Sequence, residues 1–391
     1  MKLLYSLFVL ILFVGRICAV EYRQLSVEEY LNKMQGGWAG QMIGVAYGAP
    51  TEFKACGYIY EEEIRPWQPE LVHEALAQDD LYVELSFLTA IERYGLDITH
   101  VDAGQAFSET KFPLFHANHR GRENCRNGIP PPDSGSRKYN PHAADIDFQI
   151  QADLFGLINP GLPRSSNKLC EVFGRITNSG DGLYGGMFVA AMYTEAFFES
   201  NVERVVRQGL KSIPTWSTYA RTIRDILLWH QMYPDDWRLT WKKLQDKWGS
   251  CPSGYCSKPG NRFNIDASLN GAYVVIGLLY GNGELEKTLE ITTRCGQDSD
   301  CNPSTAAGIL CTILGYQEIP DKYRSGIPAI SDKKFAEVNY TWNTLIPTCE
   351  RYARANIKRA GGYWKNVGGR EVFFIPRQYP QPPVLERFSN V

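Results

Sequence analysis

The chain has 391 residues and a formal net charge of −2. A balance this close to neutral excludes a globally basic chain, so nothing in the overall charge points to nucleic acid or an anionic membrane. With 44% hydrophobic and 21% charged residues the composition is that of a folded protein, long enough to bury one large core or two smaller ones.

Residues 1–19 read as a secretory signal peptide: Lys2 supplies the positive end, Leu3 to Val14 the apolar run, and Ala19 a small residue for cleavage. That run is too short to span a bilayer comfortably, and no later stretch is long and apolar enough. The mature protein is therefore expected to be soluble, secreted or in the secretory-pathway lumen, with no membrane partner after cleavage. Of ten cysteines, Cys18 leaves with the leader, so an odd number remains. In an oxidising compartment some of these should pair, with Cys251 and Cys256 the best local candidates and Cys311 a buried thiol. The one glycosylation sequon is Asn339-Tyr340-Thr341.

Most of the mature chain reads as helix. Val27 to Ala46 carries Gly36, Gly40 and Gly44, continued by Gly48, at four-residue spacing on one helical face. A repeated glycine face implies very close packing against a neighbour. The helix runs into Gly48-Ala49-Pro50-Thr51-Glu52-Phe53, a turn carrying an acid. Next, Gln78-Asp79-Asp80 opens an amphipathic helix with Leu81, Leu85 and Leu88 on one face, closing near Gly95.

Phe115 to Ala144 reads as a long irregular polar segment whose histidines and arginines, His116, His119, Arg120, Arg122 and Arg126, are available to anions or solvent. Asp145 and Asp147 then precede an apolar helix from Phe148 to Ile158. Gly180-Asp181-Gly182-Leu183-Tyr184-Gly185 reads as a glycine-rich turn opening a helix from Met187 to Phe198; such a turn can offer backbone N–H groups to a substrate anion, or simply pack tightly. Further helices are expected over Trp237 to Trp248, Asn270 to Tyr280 and Leu285 to Thr293, and helix continues from Lys322 to about Ala360. A tail over 361–391 contains a short edge strand at Glu371 to Ile375.

The stretch Cys295-Gly296-Gln297-Asp298-Ser299-Asp300-Cys301-Asn302-Pro303 places two carboxylates two residues apart before an apolar helix, with Asn302 and Pro303 as its N-cap and first position. A calcium loop fails here, because Pro303 stands where the turn glycine belongs and Ile309 where the closing glutamate belongs. Asp-x-Asp before a helix is more often capping than metal binding. A second acid pair, Asp79-Asp80, at another helix start raises the alternative: an oxygen-rich site for a hard divalent cation, magnesium first, with manganese or calcium accommodated.

These motifs, taken in order, resemble the ADP-ribosylglycohydrolase family, which includes the crystallin J1-type proteins. They are Gly40-x3-Gly44 leading into Gly48-Ala49-Pro50-Thr51-Glu52-Phe53, then Asp79-Asp80, then Gly296-Gln297-Asp298-Ser299-Asp300 with its small-residue helix. The resemblance spans Val27 to Gly315 and implies an all-α fold, a single large orthogonal helical bundle over residues 20–360, with the tail packed on it. It implies one or two divalent metals held by Asp79, Asp80, Asp298 and Asp300. Gln78 and Cys301 stand where the family commonly has hydroxyl residues, and Gln41 replaces the aspartate of the usual Gly-Asp opening. It implies hydrolysis of an N- or O-glycosidic bond to ADP-ribose or a related ribosyl group, small or protein-linked. Glu52, Asp145 and Asp147 are the candidates to guide water. A secreted glycosidase acting on another sugar, and a catalytically silent crystallin J1-like binding or structural protein, are the alternatives.

Overall fold

A computed structural model describes residues 20–250 and 263–386. The signal-peptide reading of residues 1–19 and the pairing of Cys251 with Cys256 lie outside those residues. The chain opens with strand β1 (Tyr22–Ser26) and helix α1 (Val27–Gly48). Ser26 caps α1 by accepting a hydrogen bond from the Glu29 amide at 3.1 Å. There follow α2 (Asp79–Tyr94), α3 (His100–Glu109), α4 (His116–Arg126), α5 (Asp153–Leu157), α6 (Pro163–Gly174), α7 (Asp181–Ala196), α8 (Val202–Gly209), α9 (Thr218–Met232) and α10 (Trp237–Trp248). The second half holds α11 (Ala267–Tyr280), α12 (Leu285–Arg294), α13 (Cys301–Leu314), α14 (Asp321–Arg324) and α15 (Trp342–Arg359), then β2 (Tyr363–Val367) and β3 (Arg370–Pro376). The fold is all-α with one small sheet.

The glycine face of α1 sets the centre of the molecule. A Cβ on Gly36, Gly40, Gly44 or Gly48 would stand 2.2, 2.3, 2.2 or 2.0 Å from the carbonyl oxygens of Cys311, Ala307, Pro303 and Ser299 respectively. Four-residue steps up α1 therefore match four-residue steps down α13, and the two helices run antiparallel with their backbones in contact. Around this pair stand α7 and α11, apolar on nearly every side and buried, as helices of a core interior are. More amphipathic helices such as α8 and α12 cover them with one face each.

Three expectations change. The polar segment after Phe115 is not irregular throughout: α4 occupies its start, and the turns beyond are held by buried asparagines. Asn124 Nδ2 donates to the Ser134 and Tyr139 carbonyls at 2.8 and 3.0 Å, and Asn140 Nδ2 to those of Ala117 and Thr177 at 3.0 and 2.8 Å. Side-chain amides here do the work of regular backbone pairing, which leaves no apolar period to read. The arginines serve the same end: Arg122 donates to the Phe112 carbonyl at 2.7 Å and Arg126 to that of Thr110 at 2.6 Å.

The tail strand is central, not an edge: β3 lies between β1 and β2, antiparallel to both, with Gln24 opposite Phe374 and Lys365 opposite Val372. Phe373 and Ile375 are fully buried, so this strand closes the core beneath Tyr30 rather than lying on its surface. Finally, the stretch after Lys322 is helical only in α14 and α15, with a short 3₁₀ turn at Ile327–Ile330 and an extended hook between them that carries the exposed Asn339. Seven cysteines are described and all are unpaired, Cys295, Cys301 and Cys311 among them. No helix among the described residues is long and apolar enough to cross a membrane.

Candidate active site and metal centre

The antiparallel contact of α1 with α13 delivers two loops to one place. Gly48 ends α1 against Ser299, and the chain turns through Ala49–Thr51 to Glu52. Thr51 Oγ1 and Ser299 Oγ share a hydrogen bond of 2.7 Å; the Phe53 amide donates to the Gln297 carbonyl at 3.0 Å, and the Gln297 amide to that of Ala55 at 2.9 Å. Opposite them α2 begins at Asp79. The three segments wall a cleft of about 600 Å³ whose lining includes Glu52, Gln78, Asp79, Asp147, Asp298, Asp300 and Cys301.

Both acid pairs lie at helix starts, yet neither serves as a cap. Helix α13 starts at Cys301, earlier than the Asn302 cap expected, because the Asp298 and Asp300 carbonyls already accept from the Asn302 and Ser304 amides at 3.2 and 3.1 Å. Its N-cap position is Asp300 and that of α2 is Gln78, and neither side chain makes a capping hydrogen bond. Both oxygens of Asp80, and one each of Asp298 and Asp300, are buried without a hydrogen-bond partner. Cys301 and Ser304 lie near enough to ease the ionisation of Asp80, but not at hydrogen-bond geometry.

Burial, reinforced by the neighbouring carboxylates, holds Asp80 and Asp298 well above the usual carboxylate range, and burial alone raises Asp300, against hydrogen bonds from Asp298 and Cys301 that lower it. Burial and the Asp300 charge push Asp79 up to about 6. Each helix N-terminus offsets about 0.3–1 kcal/mol of this repulsion, rising to about 2 kcal/mol in favourable partly buried geometry. Burying one ion costs several kcal/mol. The dipoles do not balance four carboxylates, whereas a divalent cation does, so the residues present fit a metal centre.

The donors divide into two groups that share one atom. Donor atoms of Asp79, Asp80 and Cys301 lie within 4.8 Å of one another, and so do those of Asp298, Asp300 and Cys301. The Cys301 thiol is buried and held protonated by its lack of solvent and by the surrounding acids. Gln78 lines the same cleft. Gln41 does not reach the lining: it is fully buried in α1, both polar atoms of its side chain lack partners, and its backbone carbonyl accepts from Ser304 Oγ at 3.3 Å.

Glu52 stands at the exposed rim of the cleft. Reduced solvation and the Asp300 and Asp79 charges push its carboxyl up to about 7. Asp147 forms another part of the wall; Asn118 donates its amide to one oxygen at 2.9 Å, while the other oxygen is buried without a partner. Burial and Asp145 push Asp147 up to about 8. Asp145 itself is engaged elsewhere, accepting from His142 Nδ1 at 2.8 Å with His116 Nδ1 3.5 Å away. Three positive-φ residues, Phe53, His116 and Glu337, line the cleft, and a fourth, Gln297, precedes Asp298. Backbone strain of this kind gathers where a site must be held in one shape.

The structure does not bring the expected substrate turn to this cleft. Gly180, Asp181, Gly182, Tyr184 and Gly185 lie away from the lining, and α7 begins at Asp181, so Gly182 and Gly185 sit inside a helix with Gly180 at its N-cap position. A Cβ on Gly182 would meet the Ala143 carbonyl at 2.3 Å, and one on Gly185 would meet Gln149 Oε1 at 2.8 Å. The Gly180 amide donates to Glu386, Tyr184 Oη accepts from the Glu386 amide, and Asp181 accepts from the Tyr219 amide. These residues serve packing and tail anchoring. What the sequence reading lacks is the pairing of His116 and His142 with Asp145, whose only local sign is the His142-x2-Asp145 spacing.

An all-α protein with a carboxylate-walled cleft between two antiparallel core helices and a third helix start is the class that fold and site define. The ADP-ribosylglycohydrolase family profile matches residues 26–352, and the chain belongs to that family. A solved structure described as an ADP-ribosylglycohydrolase-related protein complex is 14% identical, with a TM-score of 0.53 covering 84% of this chain and 97% of that one, a likeness of fold. No curated protein matches the chain.

Deeper in the core and away from the cleft, Glu84 and Asp153 form a further acid pair. Glu84 accepts from the Leu154 amide at 2.9 Å, while its other oxygen and one of Asp153 have no partner. Burial, then the Asp153 charge, holds Glu84 well above the usual range, and burial pushes Asp153 up to about 7. Folded-state values above unfolded ones mean that the unfolded chain releases these protons first. Their contribution to stability is therefore full below the ordinary carboxylate range and is lost as pH rises to about 7 and beyond. Glu84→Gln keeps the acceptor and removes the charge. In chelator, its unfolding free energy is expected to lie within about 0.3 kcal/mol of wild type at pH 4 and to exceed it by at least about 1–2 kcal/mol at pH 8. Denaturant titrations at the two pH values check this; equal slopes against pH in both proteins would refute it.

Proposed function

We propose that the chain is a metal-dependent hydrolase cleaving an N- or O-glycosidic bond to ADP-ribose or a related ribosyl group. The observation that carries the reading is the set of unpartnered carboxylate oxygens on Asp298 and Asp300 at a cleft with Glu52 on its rim, and on Asp80 buried behind Asp79, in a chain of this family. Asp79, Asp80, Asp298 and Asp300 would hold the divalent metal, with Gln78 and Cys301 beside them. Oxygen donors of this number suit magnesium, and the thiol favours a softer ion such as manganese over it. Such a cation supplies charge neutralisation and a hold on vicinal sugar hydroxyls.

The remaining chemistry belongs to the chain's own acids. Hydrolysis joins a water oxygen to the anomeric carbon, breaks the bond from that carbon to the leaving nitrogen or oxygen, and leaves the bonding electrons and a proton on the leaving group. Glu52, exposed to solvent and to the cleft together, is placed to take the proton from the attacking water and pass it on. Asp147, raised to about 8 and so largely protonated at neutral pH, would offer its unpartnered oxygen as a hydrogen-bond donor to a substrate group in the cleft. Asp145, bound to His142, orients that corner and is not free to activate water. Passage through the secretory pathway is part of this proposal, resting on residues 1–19, and N-terminal sequencing of protein recovered from medium tests it.

The direct experiment is release of ADP-ribose from ADP-ribosylated arginine and serine peptides, set against a panel of other glycosides, with and without chelator. Turnover of the ADP-ribosyl substrates that chelation abolishes is expected. Glu52→Gln should lower kcat by about 10²–10⁴-fold while metal binding is retained. Turnover confined to another sugar, or tight ADP-ribose binding without turnover, would replace the proposal with the glycosidase or the silent-binder reading.

A further inference from the structure

Beside the carboxylate cleft lies a cluster of different chemistry. His116 starts α4, and His142 and Asp145 belong to the turn before the Ile146–Gln151 3₁₀ segment; one donor atom from each lies within 4.8 Å of the other two. Both imidazoles turn Nδ1 toward the same oxygen, Asp145 Oδ2, at 2.8 Å from His142 and 3.5 Å from His116. The first is a hydrogen bond. The second is too long for a good one, so the His116 nitrogen faces a carboxylate without closing on it. Tetrahedral ligands about 2.0–2.1 Å from a zinc ion stand about 3.3–3.4 Å from each other, and the two observed separations bracket that spacing.

We propose that His116, His142 and Asp145 form a second metal site, one that takes a borderline transition-metal ion such as zinc and keeps an open position toward the cleft. Two imidazoles and one carboxylate are a donor set for zinc or its neighbours, and a poor one for magnesium, which demands oxygen. The frame around them is built. Asn178 Nδ2 donates to the Asp145 carbonyl at 2.7 Å, the Ile146 amide to that of Ile265 at 3.0 Å, and the Ala267 amide to that of Ala144 at 3.0 Å. Asn140 Oδ1 accepts from the His142 amide at 3.0 Å. The His116 ring stacks on Phe263 at 5.8 Å and 23° and meets His142 edge-on at 5.3 Å and 80°.

Asp147 and Asp266 add carboxylates to this corner, which favours a cation, and Arg120 opposes it from the other side. His116 lines the cleft, so the open position faces the same space as Asp147 and the carboxylate pairs. The ion would act on the part of a bound substrate that lies away from Asp298 and Asp300. The site stands whether or not the chain hydrolyses ADP-ribosyl bonds.

The test uses full-length purified protein freed of metal by chelation and then saturated with magnesium to occupy the carboxylates. Zinc is titrated by calorimetry, and cobalt by its visible absorption. About one zinc per chain is expected, with the ligand-field bands of a four- or five-coordinate cobalt ion. His116→Ala and His142→Ala should each weaken zinc binding by more than about 100-fold, the upper end of what losing a mere hydrogen-bond partner of a ligand costs. Asp298→Ala/Asp300→Ala should leave it within about threefold. Both histidine side chains are partly exposed, at 28% and 32%, so neither substitution opens the core; Asp145→Asn is the isosteric variant if either loses its fold. No stoichiometric zinc in the wild type, zinc binding indifferent to the histidines, or zinc lost together with Asp298 and Asp300 would each overturn the proposal.

Discussion

Gly44→Ala is expected to destabilise the protein by about 3 kcal/mol or more and to disperse the cleft with it. In an exposed helix the same change stabilises by about 1 kcal/mol, because alanine loses less backbone freedom. Here the added Cβ would stand 2.2 Å from the Pro303 carbonyl oxygen, 2.5 Å from its carbon and 2.6 Å from the Ser304 Cα. All three atoms are backbone in the first turns of α13, so no side chain can swing aside. The helices must part, and the part of α13 that moves carries Cys301 and follows Asp298 and Asp300 directly. Thermal unfolding together with magnesium affinity checks this: both should fall. A variant as stable as wild type would mean that α1 and α13 are not in backbone contact, and the assembly of the site described above would fail with it.

That contact was legible, because glycines four apart declare a close-packed helical face whatever the partner. Only the partner was hidden, since nothing in α1 names α13. The two acid pairs and the Glu52 turn were equally legible, being short segments whose order carries the family resemblance, and the structure brings Glu52, Asp79, Asp298 and Asp300 to one cleft with Asp80 buried beside Asp79 and Cys301. What could not be read is of two kinds. Helix α4 and the turns after it are held by Asn124, Asn140 and arginine-to-carbonyl bonds, which impose no hydrophobic period. The Gly180–Gly185 run shows the opposite failure: the same residue type serves an anion-holding turn and a crowded helix interior, and only the Ala143 and Gln149 atoms packed against it decide between them. The central place of β3 depended on β1, some 350 residues earlier in the chain; no local signal spans that distance.

The central claim is that Asp79, Asp80, Asp298 and Asp300 are one metal centre rather than two sets of helix-terminal acids. Its second large prediction follows from the geometry, since Asp298 and Asp300 share the Cys301 thiol with the other pair. Removing them should loosen the whole centre, not half of it. Once that pair is gone, the repulsion raising Asp79 and Asp80 is also reduced, so the surviving acids need a cation less. The Asp298→Ala/Asp300→Ala variant should therefore bind its divalent ions at least about 10³-fold more weakly than wild type, a difference of about 4 kcal/mol. The measurement is metal content by mass spectrometry after equilibrium dialysis against magnesium or manganese, wild type beside variant. About two ions per chain in the wild type and none retained by the variant is the predicted result. A wild type that holds no stoichiometric ion under any of these conditions would contradict the account, and would return both acid pairs to the role of unpaired charges at helix ends.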